Sequence, residues 1–170
     1  MVDGDKKPFL NRWLHRSDGH HAGHLTPPGL VEALGKFDLD PCGAVGHELT
    51  DRTYLRENGQ DGLTEPWEGR VWLNPPHGEA ASLFLARLAE HGCGIALISA
   101  RTNAHWFHQQ VWEKASGILF LKERVEFLCS DGTAEKHHYS PPSCLVAYGQ
   151  KDAAVLRRIP LPGQYVNLED

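Results

Sequence analysis

Apolar and polar positions along this chain follow two periods, and the changes of period mark out the elements. Val71-Trp72-Leu73, Ile95-Ala96-Leu97-Ile98, Gly117-Ile118-Leu119-Phe120-Leu121 and Cys144-Leu145-Val146-Ala147-Tyr148 are short and almost wholly apolar. Strands covered on both faces read this way, because a buried parallel strand has no solvent side. Between them the spacing turns helical. Residues 79–91 place Ala81, Phe84, Leu85 and Leu88 on one face, and Gly92-Cys93-Gly94 closes that helix; residues 104–114 predict a second, rich in aromatics at Trp106, Phe107 and Trp112. Nearer the start, Thr26-Pro27-Pro28 opens a helix with Thr26 as its cap, and Leu30, Val31 and Leu34 recur at helical spacing until Gly35. Phe37-Asp38-Leu39-Asp40 alternates and runs into Pro41, which predicts a short strand ending at an aspartate. A further short strand is expected near Tyr54-Leu55, and Val125-Glu126-Phe127-Leu128 alternates like an edge strand. Cys144 to Tyr148 reads as the last strand. The alternation of strands with helices predicts an α/β fold: a compact, mostly parallel sheet with an antiparallel C-terminal strand.

Length fits one domain. The 170 residues suit a single core, with residues 1–24 a polar, flexible N-terminal arm and residues 25–170 the domain itself. No apolar run approaches the roughly 18 residues of a membrane span, and the opening residues lack a signal-peptide layout, so a cytoplasmic location is expected. The four cysteines include no Cys-x-x-Cys pair, which favours reduced thiols over a zinc knuckle or disulfide framework. His15, His20, His21 and His24 cluster in the arm without cysteine or carboxylate partners at zinc-like spacing, and no metal is expected. The formal net charge of −5 has the wrong sign for holding nucleic acid by bulk electrostatics, so such binding would need a local basic patch.

In open α/β sheets ligands bind beyond the carboxyl ends of the strands. Asp40, Asn74-Pro75-Pro76-His77 and Ser99-Ala100-Arg101-Thr102 all fall at such ends. Asn offers a side-chain carbonyl and Pro a stiff backbone with a C=O and no N–H, so two acceptors can be held beside one substrate. A heterocyclic NH2 is a poor nucleophile because its lone pair is delocalised. Acceptors on its two hydrogens favour a pyramidal nitrogen that can attack. A strand-ending turn explains the same four residues, since Asn-Pro commonly opens turns, and an Asp-Pro turn explains Asp40. Arg101 is the leading candidate for a phosphate or base contact, with His105, His108, Lys136, His137 and His138 behind it; a structural ion pair is its alternative. Trp72, Trp106 and Phe107 read as core.

Six segments in order carry a family resemblance: Thr26-Pro27-Pro28, Phe37-Asp38-Leu39-Asp40-Pro41-Cys42-Gly43, Asp61-Gly62-Leu63, Trp67, Val71-Trp72-Leu73-Asn74-Pro75-Pro76, and Arg101-Thr102-Asn103-Ala104-His105-Trp106-Phe107-His108. Together, and with Val125-Glu126-Phe127 after them, they resemble the small phage-type DNA N-6-adenine methyltransferases. The resemblance implies S-adenosylmethionine as methyl donor, a Rossmann-like methyltransferase fold and transfer to the exocyclic amine of adenine in DNA. It implies donor contacts at Thr26, Pro27, Asp40, Pro41, Gly43, Asp61 and Leu63, and amine handling at Asn74, Pro75, Pro76 and His77. His77 departs from the pattern. The family usually places a tyrosine there, whose ring stacks on the extruded base, and imidazole offers less surface. Trp72, Trp106 and Tyr139 are the other aromatic rings to consider for stacking.

Two alternatives stay open on the sequence. Asn-Pro-Pro also resembles motifs of enzymes that methylate an RNA amine or a protein glutamine, and His77 with the glycine-poor loop is compatible with a non-catalytic, ligand-binding member. Target site, strandedness of the substrate and oligomeric state have no signature in the residues.

Overall fold

The structure is a computed structural model, and it describes residues 25–129 and 141–169. The elements are α1 (Pro28–Leu34), β1 (Leu39–Asp40), β2 (Arg52–Thr53), a 3-10 turn (Arg56–Asn58), β3 (Val71–Leu73), α2 (Glu79–His91) and β4 (Gly94–Ser99). There follow α3 (His105–Phe107), which continues as a π-helical turn (His108–Trp112), then β5 (Gly117–Leu121), β6 (Ser143–Tyr148), α4 (Gln150–Arg158) and β7 (Gly163–Asn167). The expected arm over residues 1–24 and the loop carrying Lys136, His137, His138 and Tyr139 lie outside the described residues.

The strands form one seven-stranded sheet in the order β2-β1-β3-β4-β6-β5-β7. Pairings β1–β2, β1–β3 and β3–β4 are parallel, whereas β4–β6, β5–β6 and β5–β7 are antiparallel. The sheet is therefore mixed, with a parallel half and an antiparallel half. The apolar strands divide their side chains between two faces, because successive residues of a strand point to opposite sides. Val71, Leu73, Ala96, Ile98, Cys144, Val146 and Tyr148 pack with Phe84, Leu85 and Leu88 of α2 and with Phe107 and Val111. Trp72, Ile95, Leu97, Leu145 and Ala147 pack with Val31 and Leu34 of α1 and with Ala153 and Leu156 of α4. Two cores on one sheet make a three-layer molecule. Among the described residues no helix is long and apolar enough to cross a membrane.

Several expectations are corrected. Residues 125–128 do not join the sheet; Leu128 makes an isolated antiparallel bridge to Leu25 instead. β6 is not the last strand, since α4 and β7 follow. β7 is polar and largely exposed, the composition by which edge strands avoid unwanted pairing, and that composition hid it. The helix expected over residues 104–114 is a single turn followed by a π-helical turn. Thr26 does not cap α1: the cap position is Pro27, with no side-chain capping bond. The Thr26 hydroxyl is engaged elsewhere, as described below.

Candidate active site

All the sequence-predicted strand ends except one converge at the carboxyl edge of the parallel half. Asp40 is aligned with Thr53 of β2, and Leu39 with Val71 of β3, so the residues after β1, β2 and β3 emerge side by side. They line one cleft, formed by Thr26, Asp40, Pro41, Cys42, Gly43 and Ala44 on one side and Asn74, Pro75, Pro76 and His77 on the other. Leu25, His47, Leu49, Tyr54, Arg56, Glu57 and Gly62 complete the wall.

Asp40 is 6% exposed and accepts a 2.8 Å hydrogen bond at Oδ1 from the Cys42 backbone N–H. Burial raises its pKa to about 7, with the Cys42 N–H pulling the other way, and no cation of the described chain pairs with it. Burial, with Asp40 and Asp61 nearby, also holds the Cys42 thiol well above its ordinary range, so it is protonated and inert at neutral pH. Gly43 borders the cleft, yet its missing side chain serves the fold: a Cβ there would meet Thr53 Cγ2 at 1.9 Å. The same holds at Gly62, where a Cβ would lie 1.9 Å from the Pro41 carbonyl oxygen. Close approach here is between parts of the protein.

Asp61 and Leu63 stand behind the wall. Asp61 Oδ1 accepts from the Leu63 N–H at 2.9 Å and so closes a turn, while its buried Oδ2 has no hydrogen-bond partner. Leu63 packs on the core. Trp67 Nε1 donates to the Gly62 carbonyl at 2.8 Å, and Arg87 of α2 donates to Gly62 and Glu65 carbonyls, so this loop is tied to the helix that the Asn-Pro-Pro-His turn precedes.

At that turn Pro75 is buried, Asn74 and Pro76 are half-buried, and His77 is exposed at the rim. Asn74 Nδ2 donates to Thr26 Oγ1 at 3.1 Å, across 48 residues of sequence. Thr26 is itself 3% exposed, and its carbonyl accepts a 2.8 Å hydrogen bond from His47 Nε2. Pro27, beyond it, turns away into α1.

Arg101, His105 and His108 are exposed on the segment after β4 and do not line the cleft. Arg101 makes no ion pair among the described residues. Trp72 is 1% exposed and packs edge-on against Phe37, which removes it as a stacking surface. Trp106 is half-buried against Phe107. No group of His, Cys, Asp and Glu among the described residues is arranged to hold a metal ion.

Sequence reasoning missed His47, Tyr54, Arg56 and Glu57. The signal existed, because β2 is a further parallel strand whose carboxyl end delivers Tyr54, Arg56 and Glu57. Its two residues, Arg52 and Thr53, are too few and too polar to show a period.

Among known proteins, no curated sequence and no solved structure gives a significant match to the chain. The model of the DNA N-6-adenine-methyltransferase (Dam) family matches residues 26–166, which takes in every cleft-lining segment from Thr26 onward and the whole sheet except the end of β7. The chain belongs to that family and is a DNA adenine methyltransferase.

Proposed function

We propose that Asn74 and the Pro75 carbonyl grip the exocyclic amine of an extruded adenine while S-adenosylmethionine lies against Asp40 and the Pro41-Cys42-Gly43 loop. The observation that carries this reading is the union, in one cleft, of a buried carboxyl with no cationic partner among the described residues and a turn of rigid acceptors. The residues present suit the donor. S-adenosylmethionine offers a sulfonium, an ammonium and ribose hydroxyls, whereas Asp40 and Glu57, both lining the cleft, offer acceptors and negative charge. When bound, it supplies a methyl group made electrophilic by the positively charged sulfur. The parallel half of the sheet, with the cleft beyond its carboxyl ends, supports the Rossmann-like assignment.

The chain's own residues then divide the work. Asn74 and Pro75 accept from the amine hydrogens and draw the nitrogen lone pair out of conjugation, a term worth most where water is excluded. Pro76 stiffens the turn. His77 sits at the rim, where an extruded base enters, and its planar ring packs on that base. Asp40 ionises as the donor's positive charge arrives. Arg101, His105 and His108, with Lys136 and His137 of the loop, contact DNA phosphates, which positions the duplex without reading its sequence.

Labelled-methyl transfer to DNA tests the assignment. Asn74→Ala is expected to lose ~10²–10³ in rate, the usual cost of removing one preorganised polar group at a reacting centre, with its thermal transition intact. Near-normal transfer by that variant would refute it.

A further inference from the structure

We infer that Thr26 is a positioning residue for Asn74, holding its amide in place beside the amine. The inference rests on the reading of Asn74 given above. An Asn side chain has two unlike ends, a C=O that accepts and an NH2 that donates, and rotation about its last torsion is soft and roughly two-fold. Only the oxygen end can grip an amine hydrogen; the NH2 end would oppose it. A turn that merely carries Asn therefore leaves its chemistry undefined. Something must hold the amide.

In this chain the holder is the Thr26 hydroxyl, which accepts from Asn74 Nδ2 at 3.1 Å. Thr26 is itself fixed from several directions. Leu25 exchanges two backbone hydrogen bonds of 2.9 Å with Leu128, and His47 Nε2 donates to the Thr26 carbonyl at 2.8 Å. Pro27 follows, and a residue before proline is confined to extended backbone. The hydroxyl is buried, at 3% residue exposure, so the Asn74 NH2 it receives has no need of water. Helix capping does not account for this: Thr26 caps no helix, and its side-chain oxygen accepts from Asn74.

Thr26→Val keeps the shape and removes the hydroxyl, and Thr26→Ser keeps the hydroxyl. We expect Thr26→Val to lower kcat about tenfold, the equivalent of one hydrogen bond of roughly 1.4 kcal/mol, with donor affinity by calorimetry within twofold of wild type. Thr26→Ser should restore most of kcat. In an Asn74→Ala background the valine change should have no further effect on kcat, because the amide it positions is gone. Two results would overturn the inference: a weakened donor affinity with kcat unchanged, which would make Thr26 a donor contact, or additive losses in the double variant, which would make its role structural. If Asn74→Ala alone left transfer intact, the reading of Asn74 would fail first, and the two failures are thereby told apart.

Discussion

Asp152 and Asp40 are both almost sealed from solvent, at 2% and 6% exposure, yet they sit at opposite edges of one sheet in opposite company. Asp152, at the amino edge, meets Arg70 Nε at 2.6 Å. Arg70 also donates to the Leu34 and Lys36 carbonyls, lies 4.0 Å over the Phe37 ring and receives support from Asp38, whose Oδ2 accepts its backbone N–H at 2.7 Å. The network joins α1, β3 and α4, and it supplies Asp152 with its counter-charge, although among the described residues the buried Arg70 Nη2 has no hydrogen-bond partner. Asp40, at the carboxyl edge, has one backbone N–H and an open cleft. The same side chain is thus a fastener where the fold supplies its counter-charge, and under the proposed function it becomes a binding group where the described residues supply none. Burial without a partner costs free energy in the empty protein, and a cationic ligand recovers it.

The largest expected effect lies at the fastener. Asp152→Ala should destabilise the protein by about 3 kcal/mol or more in denaturant titration, since it strands a buried guanidinium, while the remaining folded protein keeps its donor affinity. If stability were unchanged, the amino-edge network would be ornamental and the contrast would collapse. Next is Gly43→Ala, whose Cβ collides with Thr53; a loss of about 2 kcal/mol is expected from overpacking, and adding Thr53→Ser, which removes the clashing Cγ2, should return part of it. An alanine there that cost only donor binding would show instead that the ligand, not Thr53, requires the glycine.

Asp40→Asn should leave stability at pH 8 unchanged or raised, and weaken S-adenosylmethionine about tenfold or more by calorimetry, a loss near 1.4 kcal/mol. The pH profile separates the two aspartates further. Because Asp40 titrates near 7 in the folded chain and near 4 when unfolded, the folded protein between those values holds a proton that the unfolded chain has released. Its contribution to stability is therefore full below about 4 and is lost as pH rises to about 7. Donor binding runs the other way: the cation needs the carboxylate, so affinity should fall as pH drops below about 7, by up to tenfold per unit. Asp40→Asn should flatten both slopes, and a wild-type affinity independent of pH from 5 to 8 would separate Asp40 from the donor.

Much of this was legible in the residues, and the reasons are physical. β3, β4 and β6 declared themselves because strands buried on both faces must be apolar at every position, and the turn Asn74-Pro75-Pro76-His77 followed as a strand end. Asp40 was found by the same rule. Elements stabilised by context were silent. α4 carries charge at both ends and is held by Ala153, Leu156 and the Arg70–Asp152 pair, while β7 pairs along β5 with Tyr165 packed on the core. His47 lies in a polar stretch with no period, and the short strand expected near Tyr54-Leu55 is formed instead by Arg52 and Thr53, which leaves Tyr54 beyond its carboxyl end in the cleft wall. The cap expected of Thr26 failed because a Thr-Pro-Pro start looks like a helix cap locally, and a hydrogen bond to a residue far along the chain leaves no mark on its neighbours.

The bridge between Leu25 and Leu128 also sets the order in which the site is built. Local helices can form as the chain emerges, but contacts of high sequence separation must wait for both partners and carry the largest loop-closure cost. Thr26 gains its clamp only once β5 and the segment after it have been synthesised.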